Sequence, residues 1–403
     1  MSYRFTSAAR PILVAFATAA LALAGFAAPA TPSKVKVADV PAIAPGSAYI
    51  QTNLASDVAG VATLVDPQLI NPWGITVRGV SPFWTANNAS SSSSLLQVVP
   101  ATDATTLNAA PAHVAVAGGL PTGVVANSTS DFQLTPPGGG TPTAANFIFA
   151  SITGNISGWN GASGSTTQNT VSMPGHVFTG LAIGANGSGN RLYAADFANN
   201  HIDVFDGTFA ATTVTGNFID ATIPAGYAPH NIQLLGGSLF VTYALVGGDG
   251  FPENGIGNGY VRKFNTDGVR DLTFAINNGA LDAPWGVAIA PASFGIFGGA
   301  LLVGNFADGG RIHAYNPSTG AFLGTLQDPG GDGIEIDQLW ALQVGNGGNG
   351  GDANAIYFTA GIGNETHGLF GVLRPTAAQA TTLIRFTSAD YSVFETQGSV
   401  SIT

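Results

Sequence analysis

Not one of the 403 residues is cysteine, which removes disulfides, thiolate metal sites and cysteine nucleophiles together. Charge is nearly as scarce. Asp, Glu, Lys and Arg make up 9% of the chain, against about 25% in ordinary globular proteins. The shortage is greatest on the basic side, with 12 Lys and Arg against 23 Asp and Glu and a net charge of −11. Binding along a phosphate backbone needs clustered Lys and Arg, so nucleic acid is not an expected partner. Beyond the N-terminus no long stretch carries a 3.6-residue apolar period, and long amphipathic helices are not expected. Glycine is plentiful instead, at 55 residues, as suits many short strands joined by tight turns.

The chain begins MSYRFTSAARPILVAFATAALALAGFAAPATPSKV. Arg4 and Arg10 supply a positive start, Pro11 to Phe26 an apolar run, and Ala28-Pro29-Ala30 a small-residue cleavage site. That is the pattern of a secretory signal. About 16 apolar residues fall short of the roughly 20 needed to span a bilayer. The expectation is therefore a cleaved signal over residues 1–30, no transmembrane span afterwards, and a periplasmic, cell-surface or extracellular address. An exported chain without disulfides has only its core to hold it, which favours a large closed architecture. Residues 31–48 read as a linker and 376–403 as a polar tail of low complexity.

Between these ends one unit recurs six times, at intervals of about 50 residues. Its first strand reads NPWGITV from Asn71, PTGVVAN from Pro121, FTGLAIG from Phe178, PHNIQLL from Pro229, PWGVAIA from Pro284 and QLWALQV from Gln338. Second strands follow as PFWTAN, NFIFAS, RLYAAD, LFVTYA, LLVGNF and AIYFTA, and third strands as LLQVV, ISGWN, HIDVFD, YVRKFN, RIHAYN and LFGVL. Each run is short, rich in Val, Ile and aromatics, and bounded by Gly, Asn, Asp or Pro, as strands are. Four strands per unit at this spacing mark an all-β fold, a six-bladed β-propeller over residues 49–375. YIQTNL, Tyr49 to Leu54, precedes the first unit and is expected to complete the sixth blade, closing the ring and removing free sheet edges. Small residues after Trp or Thr suit inner strands crowded at the axis, and the repeated Trp rings are expected to pack between blades.

The set NPWGI, PFWTANN, GYAPHNIQ, APWGVAIAPASFGIFGGALLVGNFADGGRI and AGIGNETHGLFGVL, spread over Tyr49 to Leu373, resembles a family of exported bacterial six-bladed propeller proteins of uncharacterised function. More distantly it is similar to NHL-repeat propellers, a neighbourhood that includes gluconolactonase-like, strictosidine-synthase-like and virginiamycin-lyase-like proteins. The resemblance implies a fold and an address. It transfers no reaction.

Because blade strands alternate in direction, the loop leading into strand one and the loop joining strands two and three open on one face. The unusual polar and aromatic residues fall in those loops. Asn71, Trp73, Asn87, Asn88, Asn199, Asn231, Trp285, Asp308, Trp340 and Asn364 are the candidate ligand-binding residues around an axial mouth, the default place for a ligand. Each has a plainer reading: Asn and Asp are favoured in turns, and Trp in packing. A gluconolactonase-like site would require a divalent cation, Ca²⁺ or Zn²⁺, on oxygen ligands from several blades. Asp196, Asn231, Asn305 and Glu365 are the nominees, with His230 or His367 as general base. There is no GxSxG elbow and no HExxH spacing, and the glycines of GFPENGIGNGY lack the βαβ setting of a dinucleotide site. The acidic DPGGDGIEID, Asp328 to Asp337, does not have EF-hand spacing and reads as a solvated loop. The preferred function is thus a binding or scaffold module for a small molecule, glycan or protein. A metal-dependent lactonase-like hydrolase or lyase is the alternative.

Overall fold

The β-branched and aromatic runs form strands in the order the repeat dictates. A computed structural model describes residues 47–376 and arranges them as a six-bladed β-propeller of antiparallel four-stranded sheets. The expected signal, most of the expected linker and nearly all of the expected C-terminal tail lie outside the described residues. Among those residues helix is limited to single 3-10 turns such as Gly161–Ser163 and Gly295–Phe297, and no helix is long and apolar enough to cross a membrane.

The inner strands of blades 1 to 6 are Pro72–Thr76, Pro121–Ala126, Phe178–Asn186, Tyr227–Leu235, Pro284–Ile289 and Leu339–Val344. Their starts gather at what is here named the upper face and their ends at the lower face. Blade 6 is composite. Tyr49–Ser56 runs antiparallel to Leu369–Pro375 from Tyr49↔Pro375 to Ser56↔Leu369, so the N-terminal strand closes the ring as expected. Tyr49 also fastens the seam to blade 5. Its hydroxyl donates to the Phe294 carbonyl at 3.1 Å, and its ring stacks on Phe294 at 4.8 Å.

The core is divided into wedges between neighbouring blades. Trp84, Leu95, Val124, Phe147 and Phe149 fill the space between blades 1 and 2; Ile148, Leu181, Leu192 and Phe205 fill that between 2 and 3. Blades 3 and 4 meet over Tyr193, Val204, Ile232 and Val241, and blades 5 and 6 over Leu302, Ile312, Leu339 and Phe358. Each such side chain contributes about 1.5–3 kcal/mol by leaving water. These wedges therefore supply the stability that disulfides would otherwise provide.

At the axis, small residues meet end to end. A Cβ on Gly74 would stand 2.6 Å from the Thr122 carbonyl, one on Gly123 2.5 Å from the Leu181 nitrogen, and one on Gly286 2.3 Å from the Trp340 carbonyl. Blade 4 has Asn231 at this position, and its Nδ2 donates to the Trp285 carbonyl at 2.9 Å. Pairing registers slip here in every blade, for example between Pro72 and Ile75 and between Pro284 and Val287. Such a bulge re-aims the side chain beside it. The consequence corrects one expectation. Trp73, Trp285 and Trp340 do not lie one per blade interface but converge: Trp73 stacks on Trp340 at 3.6 Å and meets Trp285, from the non-adjacent blade 5, edge-on at 6.4 Å.

Candidate functional site

The two loop sets share the upper face. The Asn88 amide donates to the Asn71 carbonyl at 3.0 Å, Phe197 to Val177 at 3.0 Å, Phe306 to Ala283 at 3.2 Å and Gly361 to Gln338 at 3.0 Å. Most of the polar residues there are spent on the scaffold. Asn87 donates to the Ser92 and Ser94 hydroxyls at 3.2 and 2.8 Å. Asn88 reaches the Pro121 carbonyl of blade 2 at 3.2 Å. Asn305 donates to the Ala280 carbonyl at 2.8 Å and accepts from the Asp282 amide at 3.0 Å. Asp308 is half-buried and held by Arg311 at 2.9 Å, while Asn364 is exposed with a φ of 58°.

On this face the axis is filled. The buried indoles of Trp73, Trp285 and Trp340 are joined by His230, whose ring lies 6.0 Å from Trp340 and 5.6 Å from Phe197. Trp285 Nε1 donates across the axis to the Thr179 carbonyl of blade 3 at 3.0 Å, and Trp340 Nε1 to Asn71 Oδ1 at 2.9 Å. Burial pushes His230 down to about 4, against carbonyls of Pro284 and Ala283 that favour its charge. It is neutral at neutral pH, with Nδ1 donating to Pro284 at 3.1 Å. Beside the plug, Glu365 is 9% exposed and is pushed up to about 7 by burial, which the Asn71 amide at 3.4 Å only partly offsets. His367 is far more open and pairs with Asp57 at 2.7 Å.

The four nominated metal ligands keep separate company. No hydrogen bond joins any two of Asp196, Asn231, Asn305 and Glu365; Asp196 and Asn305 hold loops of their own blades, while Asn231 reaches blade 5 and Glu365 meets Asn71 of blade 1. Asp196, however, lies among residues the sequence reading passed over. His176 Nδ1 stands 2.7 Å from Asp196 and 2.9 Å from Asp203, and His201 Nε2 stands 3.0 Å from Asp203 and 3.9 Å from Asp196. Asn199 belongs to the same group, donating from Nδ2 to Asp196 at 2.7 Å. Burial opposes a charge on His201, but the Asn199 carbonyl and the two carboxylates outweigh it and hold the imidazole above its usual range. The available signal was His201-Ile202-Asp203: alternate residues of one strand share a face. In the Asp328–Asp337 loop, by contrast, Asp328 caps its own turn, Glu335 pairs with Arg311 at 2.6 Å, and Asp337 accepts from the Gly363 amide.

The lower face holds an axial cavity of about 330 Å³. Its walls are the middle and later residues of five inner strands, including Thr76, Ala126, Ile183, Gln233, Leu234 and Gln343, with Ser128 at the side and Asn231 and Trp285 among the lining groups. None of the lining residues carries an ionisable side chain. Each inner strand is an edge of its sheet, so its axial side offers peptide groups free of ladder pairing. The cup and the His–Asp cluster therefore lie on opposite faces.

No family model matches the chain. Two uncharacterized proteins of Acanthamoeba polyphaga mimivirus align with it over 330 residues. One is 32% identical, covering 79% of this chain and 78% of its own length; the other is 30% identical, covering 78% and 82%. The chain belongs to the family of these mimivirus proteins. These relatives come from a virus, so they lend no support to the bacterial source expected from the motif set. Among solved structures, a streptogramin B lyase matches with a TM-score of 0.45 at 10% identity, over 81% of this chain and 97% of its own. A gluconolactonase from Xanthomonas campestris matches with a TM-score of 0.30 at 14% identity, over 57% and 81%. No residue or reaction is carried over from either.

Proposed function

We propose that the protein is an exported binding module that takes a neutral, hydroxyl-rich ligand of about monosaccharide size in the cup of its lower face. The supporting observation is the cup itself. Its volume of about 330 Å³ falls at the small end of ligand pockets. Uncharged donors and acceptors on Thr76, Ser128, Gln233 and Gln343 stand beside apolar walls such as Ile183 and Leu234. Such a lining suits hydroxyls and amides better than ions, because a buried charge without a partner is costly. On this reading recognition stays on the axis: of the residues first nominated, Asn231 and Trp285 line the cup, while the others stand in the loops of the opposite face. There the aromatic plug leaves Asn71, Trp73, Trp285 and Trp340 engaged with one another.

Calorimetric titration with neutral mono- and disaccharides tests the reading. At least one should bind the protein, and Ala126→Trp, which fills the cup from a half-buried lining position, should abolish binding while Asn364→Ala on the upper face leaves it intact. Binding that survives Ala126→Trp in a folded variant, or no binding across the series, removes the proposal. A second reading, a metal-dependent hydrolase or lyase, is favoured by one observation: Asp196 stands in a histidine–carboxylate cluster. It requires lactone or ester hydrolysis that EDTA and Asp196→Ala both abolish.

A further inference from the structure

We infer that His176, Asp196, His201 and Asp203 form a binding site for one divalent transition metal ion of the zinc class on the upper face of blade 3. The backbone prepares the site. In the hairpin of Gly189–Asp196 and His201–Asp206, Asp196 pairs directly with His201 and Ala194 with Asp203. Asp196 and His201 therefore face each other across the ladder, and Asp203, two residues along, points to the same side. His176 arrives from the loop before the inner strand. One ligand atom from each of the four residues lies within 4.8 Å of the other three. Four ligands at about 2.0–2.2 Å from a tetrahedral centre stand about 3.4 Å apart. The observed separations of 2.7, 2.9, 3.0 and 3.9 Å bracket that value.

Charge and hydrogen bonding point the same way. The Asp196 side chain is fully buried, yet its neighbours include a second carboxylate, Asp203. His176 Nδ1 and His201 Nε2 each face both carboxylates. His201 Nδ1 donates to the Asn199 carbonyl at 3.2 Å, which orients Nε2 toward Asp203 at 3.0 Å. A divalent ion placed between these nitrogens and oxygens would balance the two carboxylates. The outer contacts are those that orient metal ligands: the Asn199 carbonyl fixes His201, and the Val177 and Asn199 amides hold Asp196 Oδ1 at 3.0 and 3.3 Å. Two imidazoles select a zinc-like ion, whereas calcium takes six to eight oxygens. This set retains Asp196 from the four oxygen donors first nominated and replaces the other three.

The test uses the full chain, stripped with EDTA and titrated with Zn²⁺, and with Co²⁺ as a spectroscopic probe. One Zn²⁺ should bind per chain, and Co²⁺ should give the intense visible absorption of a four-coordinate site. Asp203→Asn and His201→Gln should each weaken Zn²⁺ binding by at least about tenfold and remove the Co²⁺ bands. His201 is half-exposed, so its replacement keeps the test open should Asp203→Asn fail to fold. Absence of Zn²⁺ binding at about 100 µM and neutral pH, or binding indifferent to both substitutions, overturns the assignment. Zinc binding without lactone or ester turnover leaves it standing and removes the hydrolase reading.

Discussion

Glu365→Gln should stabilise the protein at high pH and leave it unchanged at low pH. Glu365 lies in the loop between Ile356–Ala360 and Leu369–Pro375, with a φ of 61° and its amide donating to Gln338 Oε1 at 2.7 Å. Its carboxylate accepts from Asn71 Nδ2 at 3.4 Å, a long bond. Burial prevails over that bond, and a group with an ordinary value of 4.5 titrates near 7. The folded state therefore holds this proton more tightly than the unfolded chain. Its stabilising effect is complete below pH 4.5 and is lost as pH rises through 7. At about 1.4 kcal/mol per pH unit, the ionised carboxylate costs the fold about 3 kcal/mol above pH 8. The amide introduced by Glu365→Gln keeps an oxygen for Asn71 and has no charge to bury. Urea denaturation at pH 8 should show a gain of up to about 3 kcal/mol, or roughly 4–6 °C in Tm for a domain of this size. At pH 4.5 the two proteins should coincide. Equal stability at pH 8, or loss there, would refute the reasoning, since every other titrating group is common to both proteins.

Three further outcomes follow from the same packing and charge. Gly123→Ala places a methyl 2.5 Å from the Leu181 backbone nitrogen, where nothing can turn aside, so denaturation should show a loss of at least about 3 kcal/mol or no folded protein. Asp220→Asn removes the carboxylate paired with the 1% exposed Arg262 guanidinium and with Arg270, leaving Arg262 only neutral acceptors; a loss of about 3–5 kcal/mol in urea is expected. Removing Tyr49–Ser56 opens blade 6 along the edge of Leu369–Pro375. That deletion should abolish the cooperative thermal transition, and the 47–56 segment added as a peptide should restore part of it.

The ring was legible in the sequence because four of the six blades repeat a glycine where neighbouring inner strands touch. Gly74, Gly123, Gly180 and Gly286 hold that place, and a Cβ on any of them would strike the next blade. Even the closing strand could be placed, since Tyr49 to Leu54 had a unit to complete but none of its own. The fate of the tryptophans was not legible. Alternation along an unbroken strand sends Trp73 toward a neighbouring blade, and only the slipped register beside it turns it to the axis. The mouth expected on the upper face was therefore filled, and the open cup lay below among Thr76, Gln233 and Gln343, which carry no conspicuous motif. The His–Asp cluster stayed hidden for a similar reason. His201 and Asp203 are adjacent in pattern, but Asp196 joins them through the ladder register and His176 through a loop. Asn87 and Asn305 stand at strand ends and Asn88 just beyond one, each bonded to the scaffold; an amide that holds a loop and one that holds a ligand look alike in sequence.

Co-crystallisation with a saccharide that binds most directly locates recognition. Density for the sugar should lie in the lower-face cup, within hydrogen-bond reach of Gln233 or Gln343, with Trp73, Trp285 and Trp340 still packed together above it. Sugar bound instead on the upper face, over Asn71 and an opened tryptophan plug, would contradict it.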